Sequence, residues 1–314
     1  MNLRQITYFL KIAQLRSFTN AANALYVSQP ALSKQMRLLE EELGTALFIR
    51  SDRGVKLTDA GELLHARAPH VLEEIASLRN DLQACATQEP GGPLMVGMGI
   101  SARDIVTVPV VSRYLQRYPR VSLHVREGIT GPLVEDVKLG SLDCALLFEV
   151  DADEPLIAEP YVREPLLYVG PRTSDLSMEK PVSIAQALAQ PLATTGGNSP
   201  LRRRIDRAAA DIETSTPVAF EVNDVAVMLG CISLNGLHAV VPYSSVHWAL
   251  AEGRVRAAPI DGLWIDWSFV HARNFGLSLA ARAFRSLVFE AAAHLVAIGE
   301  WKFCSLLSPQ PDQP

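Results

Sequence analysis

The sequence lacks the features that mark membrane, secreted or disulfide-stabilised proteins. No apolar run approaches the roughly 18 residues that span a bilayer, and the start at Met1-Asn2-Leu3-Arg4 has none of the long apolar stretch of a signal peptide. The four cysteines are scattered, with no Cys-x-x-Cys pair and no histidine at metal-ligand spacing. We therefore expect a cytoplasmic chain without a structural zinc site or disulfides.

Catalytic motifs are also missing. The chain contains no G-x-S-x-G, H-E-x-x-H or G-x-x-x-x-G-K-[ST] sequence, and its seven histidines lie apart without an evident acidic partner. These absences remove the usual nucleophilic, metal-binding and phosphate-binding arrangements. We expect a protein that is not an enzyme and that uses neither a metal nor another cofactor.

Composition indicates a globular chain of two or three domains, with 314 residues of which 48% are hydrophobic and 20% charged. The net charge of −5 is unevenly distributed. Residues 1–60 carry eight Lys or Arg and five Asp or Glu, a net charge of +3 that leaves −8 for the remainder. A basic N-terminal region followed by an acidic remainder favours a modular protein in which only the N-terminal region binds a polyanion.

The first sixty residues have the pattern of three short helices, and the third helix is the most informative. Ser28 suits its N-cap, Pro30 its first turn and Gly44 its C-terminal end. Its buried stripe is expected to contain Leu32, Met36, Leu39 and Leu43. An amide, a hydroxyl and two cations lie outside that stripe and are suited to a DNA major groove: Gln29, Ser33, Lys34 and Arg37.

A basic hairpin is expected next. Two strand-like segments, 46–50 and 55–58, flank a turn that contains Gly54. Arg50 ends the first segment and Arg53 lies at the tip. A basic hairpin beside a helix-turn-helix is typical of a wing that reaches phosphates or the minor groove.

The stretch from Ser17 to Gly44, continued by Leu47-Phe48-Ile49-Arg50 and Leu57-Thr58-Asp59-Ala60-Gly61, resembles the LysR family of bacterial transcription regulators without a gap. The resemblance implies that Phe18 to Arg37 form the helix-turn-helix and that Gln29, Pro30, Ser33, Lys34 and Arg53 touch DNA. Lys34 often corresponds to arginine in the family, so it keeps the charge but loses bidentate geometry. The full set of expected DNA-binding residues is Ser28, Gln29, Pro30, Ser33, Lys34, Arg37, Arg50 and Arg53.

A joining helix is expected from Thr58 to about Ala86. Its small and apolar residues follow heptad spacing over three repeats, at Gly61, Leu64, Ala68, Val71, Ile75, Leu78, Leu82 and Cys85. So narrow a stripe favours a partner helix and therefore a dimer, although the stripe could instead pack on its own chain. The LysR resemblance implies antiparallel pairing of this helix, with tetramers formed through further contacts.

The body alternates between strand and helix patterns, which favours α/β layers around a mostly parallel sheet. The expected strands are Leu94–Gly99, Val121–Glu127, Leu142–Phe148, Leu166–Gly170, Val218–Val222, Leu237–Val241 and Trp267–Arg273. The expected helices are Ile105–Tyr118, Arg202–Ile212, Val225–Leu234 and Leu279–Val296.

Ligands of parallel sheets gather where strands end and helices begin. Ser101, Thr130 and Thr195 lie at such junctions, where helix starts favour anions, especially carboxylates, although each hydroxyl is equally well explained as a helix cap. The nearby Arg202-Arg203-Arg204 strengthens the anion preference. The LysR resemblance implies two subdomains with an effector between them, lined at Ser101, Thr130, Thr195 and Asn223 and walled by Phe148.

The expected organisation is a winged helix-turn-helix at 1–58, a linker helix at 59–89, a periplasmic-binding-protein-like (type II) α/β effector domain at 90–302 and a disordered tail at 303–314. Subdomain I covers about 90–162 and 267–302, and subdomain II about 163–266. From Met1-Asn2-Leu3-Arg4 to Glu300-Trp301, the amino-acid sequence is most similar to that of nitrogen-assimilation-control regulators. Some of these regulators act without a small effector.

We therefore expect a sequence-specific transcription regulator modulated by a small organic anion. Its expected partners are double-stranded promoter DNA, the effector, further copies of the chain and RNA polymerase, but no membrane. Two alternatives stay open, an effector-independent regulator and a thiol-redox-responsive one, although Cys144 and Cys231 are far apart in sequence. A solute-binding protein would need an export signal and would not explain the basic wing.

Overall fold

The computed structural model describes residues 1–51, 54–87, 89–150, 155–274 and 276–307, and the chain divides into two compact units, Met1–Leu82 and Gln83–Pro314. The first unit contains three helices, a hairpin and most of a long helix: α1 (Leu3–Leu15), α2 (Phe18–Ala24), α3 (Gln29–Leu43), β1 (Phe48–Ser51), β2 (Gly54–Leu57) and α4 (Asp59–Thr87). The last residues of α4 belong to the second unit.

Local signals in the sequence begin and end the helices of the first unit. The side chain of Ser17 accepts a hydrogen bond from the Asn20 amide, and that of Ser28 accepts one from Ala31. Gly44 adopts φ 68° and ends α3. Leu32, Met36 and Leu39 are buried as expected, but Leu43 is 41% exposed because α3 continues one turn beyond the part that the core covers.

Helix α4 presents apolar side chains to solvent in the single chain. Thr58 precedes it and accepts a hydrogen bond from the Gly61 amide at 3.0 Å. Val71, Leu78 and Leu82 belong to the expected heptad stripe, and all three are exposed. These three positions are left uncovered by their own chain, whereas Ala68 of the same stripe is buried. Uncovered apolar positions at heptad spacing are what a partner helix requires.

The second unit is built on one nine-stranded mixed sheet. Its strands are β3 (Gly92–Gly99), β4 (Val121–Gly128), β5 (Cys144–Phe148), β6 (Leu156–Pro171), β7 (Leu192–Thr194), β8 (Val218–Glu221), β9 (His238–Pro242), β10 (Val255–Ala272) and β11 (Ser305–Leu306). Their order is β4-β3-β5-β10-β6-β9-β7-β8, with β11 paired to β6.

The expectation of a mostly parallel sheet holds at the flanks and is wrong at the centre. β3 runs parallel to β4 and β5, and β7 runs parallel to β8 and β9. Between these two groups, β6 and β10 pair antiparallel over most of their length. The two long strands carry the chain twice between the groups, which gives the two-subdomain α/β architecture.

Helices cover the sheet: α5 (Val108–Arg117), α6 (Thr130–Lys138), α7 (Ile184–Ala187), α8 (Pro200–Ala210), α9 (Val225–Asn235), α10 (Tyr243–Ala251) and α11 (Leu279–Ala297). A 3₁₀ turn at Ile100–Ala102 and a π turn at Arg103–Thr107 precede α5, so the helix expected from Ile105 starts later. Tyr114 of α5 packs edge-on against Phe284 of α11, with 5.1 Å between ring centroids.

The disordered tail was expected to start at residue 303, but the chain is still ordered there and forms the short strand β11. Ser305 and Leu306 pair with Arg163 and Val162 of β6, because the hydrogen-bonding edge of β6 is open at that point. Residues 308–314 lie outside the described residues. Within the described part of the chain, no helix is both long enough and apolar enough to cross a bilayer, and no cluster of His, Cys, Asp and Glu is placed to hold a metal.

Candidate functional site

The exposed face of α3 brings together most of the expected DNA-binding residues. Burial of Leu32, Met36 and Leu39 turns the opposite face of the helix to solvent. Ser28, Gln29, Pro30, Lys34 and Arg37 are exposed there, and Ser33 is half-buried. The Gln29 side-chain amide donates to the Ser33 hydroxyl at 3.1 Å, one helical turn away. A polar helix start of this kind can offer amide and hydroxyl groups to base edges.

The two cations on this face are available to phosphates. Within the described residues, neither Lys34 nor Arg37 forms an ion pair. The acidic residues of α3 lie at its other end, where Glu42 pairs with the N-terminal amino group and Glu40 accepts the amides of Leu47 and Phe48. The helix is therefore polarised, with cations at the start and carboxylates at the end.

Sequence reasoning missed Tyr26, which lies in the turn between α2 and α3. Its side chain is 95% exposed and its backbone φ is +55°. A left-handed turn residue is usually Gly, Asn or Asp, so the residue type did not indicate this backbone conformation, although the sequence does predict the turn at Tyr26-Val27. An exposed aromatic ring next to the start of α3 belongs to the same candidate surface.

The wing is present as a short antiparallel hairpin. Phe48 pairs with Leu57 and Arg50 pairs with Val55. Arg50 lies on β1, whereas Arg53 lies outside the described residues. Glu40 of α3 accepts two backbone amides of the first strand, at 2.8 and 3.2 Å, which fixes the hairpin to α3.

In the second unit, the register of the two long strands explains where a ligand can bind. Phe148, the last residue of β5, pairs with Trp267 near the middle of β10. Pro242, the last residue of β9, pairs with Leu166 near the middle of β6. Because the remaining flanking strands run parallel to β5 or β9, the carboxyl ends of both groups point towards the same central region.

All five residues expected to contact an effector line one cavity in this region: Ser101, Thr130, Phe148, Thr195 and Asn223. The space between its walls, including the opening to solvent, is about 570 Å³. Apolar side chains complete the walls, among them Ile129, Leu201, Val225, Met228 and Val241. The two subdomains face each other across it.

The expected polar residues differ in how far they are already engaged. Thr195 bonds the Ser199 hydroxyl, which itself caps α8 by accepting the Arg202 amide. Asn223 Oδ1 accepts the Gly196 amide at 3.2 Å. Thr130 is buried at the start of α6, a helix without a side-chain cap. Thr130 and Ser101 are therefore the polar groups most available to a ligand.

The arginines of α8 do not line this cavity, although Arg203 lines a neighbouring cavity together with Thr130. Arg202 bonds Asp206 and Glu221, Arg203 donates to the Asn198 carbonyl, and Arg204 donates to the Trp264 carbonyl. Among the described residues, every side chain that lines the cavity is uncharged. Within this cavity, helix starts and hydroxyl groups are therefore the groups that can favour an anion.

An adjoining cavity shares Ile100, Ser101 and one further serine, Ser245, with the first. Its walls carry charge, at Arg103, Asp104 and Asp224. Arg103 forms a bidentate bond with Glu127, and that hydrogen bonding raises the pKa of the guanidinium. Because Glu127 pairs with Arg103, the acidic side chains Asp104 and Asp224 determine the electrostatic potential in this adjoining cavity.

Sequence reasoning missed Ser245 because it did not predict α10. Ser244 and Ser245 follow the end of β9 at Pro242 after one residue, Tyr243, so the same strand-to-helix signal was present there. Ser245 lines both cavities.

Comparison with known proteins adds to this geometry. Residues 3–62 match the family described as bacterial regulatory helix-turn-helix protein, lysR family, and residues 87–293 match the LysR substrate binding domain. The regulator BbuR of Bordetella bronchiseptica is 30% identical over 305 residues, covering 94% of this chain and 91% of that protein.

The nitrogen assimilation regulatory protein nac of Klebsiella aerogenes is 28% identical over 291 residues, covering 92% of this chain and 94% of that protein. The expected similarity to nitrogen-assimilation-control regulators is confirmed, and BbuR is similar to a comparable extent. The crystal structure of full-length CbnR with its target DNA superimposes with a TM-score of 0.67 at 22% identity, covering 93% of this chain and 100% of that chain, and so shares its fold.

Proposed function

Since the chain belongs to the LysR family of bacterial transcription regulators, we propose that the start of α3 reads promoter DNA and that a small carboxylate bound in the cavity of the second unit controls this activity. The protein is a DNA-binding transcription regulator with an effector-binding domain. We propose residues 1–58 as the DNA-binding region, and the cytoplasm as its place of action with RNA polymerase as a further partner.

The exposed polar start of α3 carries the DNA proposal. Gln29→Ala should relax base preference, costing about 1–3 kcal/mol at one position of the site. Lys34→Ala should weaken binding to all duplexes and reduce the slope of log K against log [salt] by about one unit. Gel-shift titrations on promoter and scrambled duplexes at several salt concentrations measure both effects. Unchanged affinity and selectivity in both variants would exclude α3 as the reading element.

The convergence of Ser101, Thr130 and Thr195 on one uncharged cavity carries the effector proposal. A helix start favours negative charge by about 0.3–1 kcal/mol when exposed, and by more when partly buried. The α6 start offers unpaired amides beside the buried Thr130 hydroxyl. We propose that the carboxylate group of the effector binds there.

Thermal melting of the full-length protein tests this with a matched pair of compounds. Hexanoate should raise the melting temperature, 1-hexanol should not, and Thr130→Val should reduce the hexanoate effect. Equal stabilisation by both compounds, or no effect of the substitution, would argue against carboxylate binding at α6.

The thiol-redox alternative has less support than the effector proposal. Cys144 is buried, and burial raises the pKa of its thiol well above the usual value. Burial also raises the pKa of Cys304. Peroxide-reactive cysteines require the opposite shift, because the thiolate is the nucleophile.

A further inference from the structure

Ser245 places an unpaired hydroxyl on the wall of the effector cavity. Its side chain is only 5% exposed, and its Oγ forms no hydrogen bond within the described part of the chain. Buried polar atoms almost always have a hydrogen-bond partner. A buried, unpaired hydroxyl on a residue that lines a cavity is suited to a polar group of a ligand.

A second hydroxyl lies at the same end of the cavity. Ser245 is in the first turn of α10, which packs against the turn that contains Ser101, and both serines line both adjoining cavities. The start of α10 has no side-chain cap, whereas Ser199 caps α8 and Asp224 caps α9. The two serines therefore form a polar end of the cavity on the side of the adjoining cavity, which Thr130 does not line.

The surrounding charges restrict what this end can accept. Asp104 and Asp224 line the adjoining cavity, and the buried Glu164 accepts the amide of Ser244, the neighbour of Ser245. A carboxylate would be repelled by these groups. An ammonium group would lose its hydration there, because the groups nearest to it, the two serine hydroxyls, are uncharged. An uncharged polar group is favoured over either ion.

We propose that the effector is a hydroxy acid whose hydroxyl binds between Ser245 and Ser101, while its carboxylate binds at the start of α6. The inference rests on the proposed function, because it assigns the second polar end of the same ligand. A hydroxyl both donates and accepts, so it can bond two serine hydroxyls at once. The apolar body of the ligand lies between these ends against Phe148 and Met228.

Four compounds of equal chain length test the assignment by calorimetric titration of the full-length protein: hexanoate, 6-hydroxyhexanoate, adipate and 6-aminohexanoate. 6-Hydroxyhexanoate should bind about three- to tenfold more tightly than hexanoate, as expected for one additional neutral hydrogen bond. Adipate and 6-aminohexanoate should bind no more tightly than hexanoate.

Ser245→Ala should remove the advantage of 6-hydroxyhexanoate and leave the affinity for hexanoate unchanged. Ser233→Ala is the matched control, because the Ser233 hydroxyl donates to the Leu229 carbonyl at 2.9 Å outside the cavity. Without ligand, Ser245→Ala should melt no lower than the unsubstituted protein, since no hydrogen bond is lost. A clear drop would mean that the hydroxyl has a protein partner, against the inference.

The outcomes separate this inference from the proposed function. If hexanoate binds but the hydroxyl gives no advantage, or if Ser245→Ala keeps that advantage, the hydroxy-acid inference is wrong and the carboxylate proposal stands. Tightest binding of adipate or 6-aminohexanoate would assign a charged group to the Ser245 end and would also overturn the inference. If none of the four compounds binds, both proposals fail.

Discussion

Glu164 on β6 accepts a hydrogen bond of 2.5 Å from the indole Nε1 of Trp267 on β10, and both side chains are fully buried. The Trp267 ring meets Phe148 edge-on, with 5.1 Å between centroids, and Phe148 lines the proposed effector cavity. Glu164 also accepts the amide and hydroxyl of Ser244 at the start of α10. One buried carboxylate thus fixes both a cavity wall and the helix that carries Ser245.

This carboxylate should make stability depend on pH. Burial raises the pKa of Glu164 to about 7 from the ordinary 4.5, although hydrogen bonds from Trp267 and Ser244 oppose the shift. Between pH 4.5 and 7 the folded state binds the proton and the unfolded state does not, so unfolding releases it. The free energy of unfolding should therefore fall by about 1.4 kcal/mol per pH unit over this window, roughly 3 kcal/mol in all, and this contribution should stay constant above pH 7.

Urea denaturation followed by tryptophan fluorescence measures this effect, because all four tryptophans lie beyond residue 83 and report the second unit. Glu164→Gln should remove the slope, whereas Glu179→Gln, at an exposed position, should keep it. Parallel pH profiles for the unsubstituted protein and Glu164→Gln would contradict the prediction.

Gly61 of α4 should not tolerate a side chain. A Cβ atom at this position would lie 2.2 Å from the backbone oxygen of Leu47, so α4 or the hairpin would have to move. We expect Gly61→Ala to destabilise the first unit by about 1–3 kcal/mol, as overpacking does elsewhere. Thermal melting by far-UV circular dichroism measures the change.

Gly230→Ala in α9 is the matched helical control for Gly61→Ala, because its Cβ would meet no atom within 4 Å. Alanine is the better helix former, so this variant should be neutral or more stable by up to about 1 kcal/mol. Equal melting temperatures for the two variants would show that α4 and the hairpin are not packed as closely as described.

Tyr26 should be replaceable with a gain in stability. Its φ of +55° is unfavourable for a residue with a bulky side chain, and its ring is too exposed to contribute much packing. Tyr26→Asn should raise the free energy of unfolding by up to about 1 kcal/mol, whereas Tyr26→Phe, which keeps the same backbone preference, should not change it. A loss of stability in Tyr26→Asn would indicate that the ring packs on the protein.

Local signals predicted the first unit well, because caps act on the residues next to them. Ser28 and Gly44 each have the role that their sequence neighbours indicated. The cavity residues were also predictable, since strand ends and hydroxyls can be read locally and the family resemblance supplied the lining positions. Their convergence on one cavity depends on the β6–β10 pairing, which joins residues about a hundred positions apart.

The missed elements have identifiable physical causes. Polar residues and prolines interrupt β6 around Glu159-Pro160 and Glu164-Pro165, so its apolar pattern was visible only from Leu166. β10 contains two register shifts, one of them between Pro259 and Trp264, that break any regular alternation. Pairing with each other satisfies the backbone of both strands despite these interruptions, and no local pattern reports such pairing.

Helix α4 should hold the subunits together through its heptad stripe. Leu78 belongs to that stripe and is 56% exposed in the single chain, so its replacement should leave the fold of one subunit intact. In a helix pair the same side chain would be covered, and a charge there would lose its hydration without a partner. Leu78→Asp should therefore lower the oligomeric state, from tetramer to dimer or from dimer to monomer, as measured by multi-angle light scattering.

Leu63→Asp provides the matched control, because Leu63 is also on α4 and is 63% exposed but lies outside the heptad positions. This variant should keep the mass of the unsubstituted protein, and both variants should keep its far-UV circular dichroism. If Leu78→Asp keeps its mass with helicity intact, the stripe does not join subunits, and another surface must do so. If both variants lose mass equally, the contact between subunits covers more of α4 than the heptad stripe. That result would contradict a helix pair joined through the heptad positions alone.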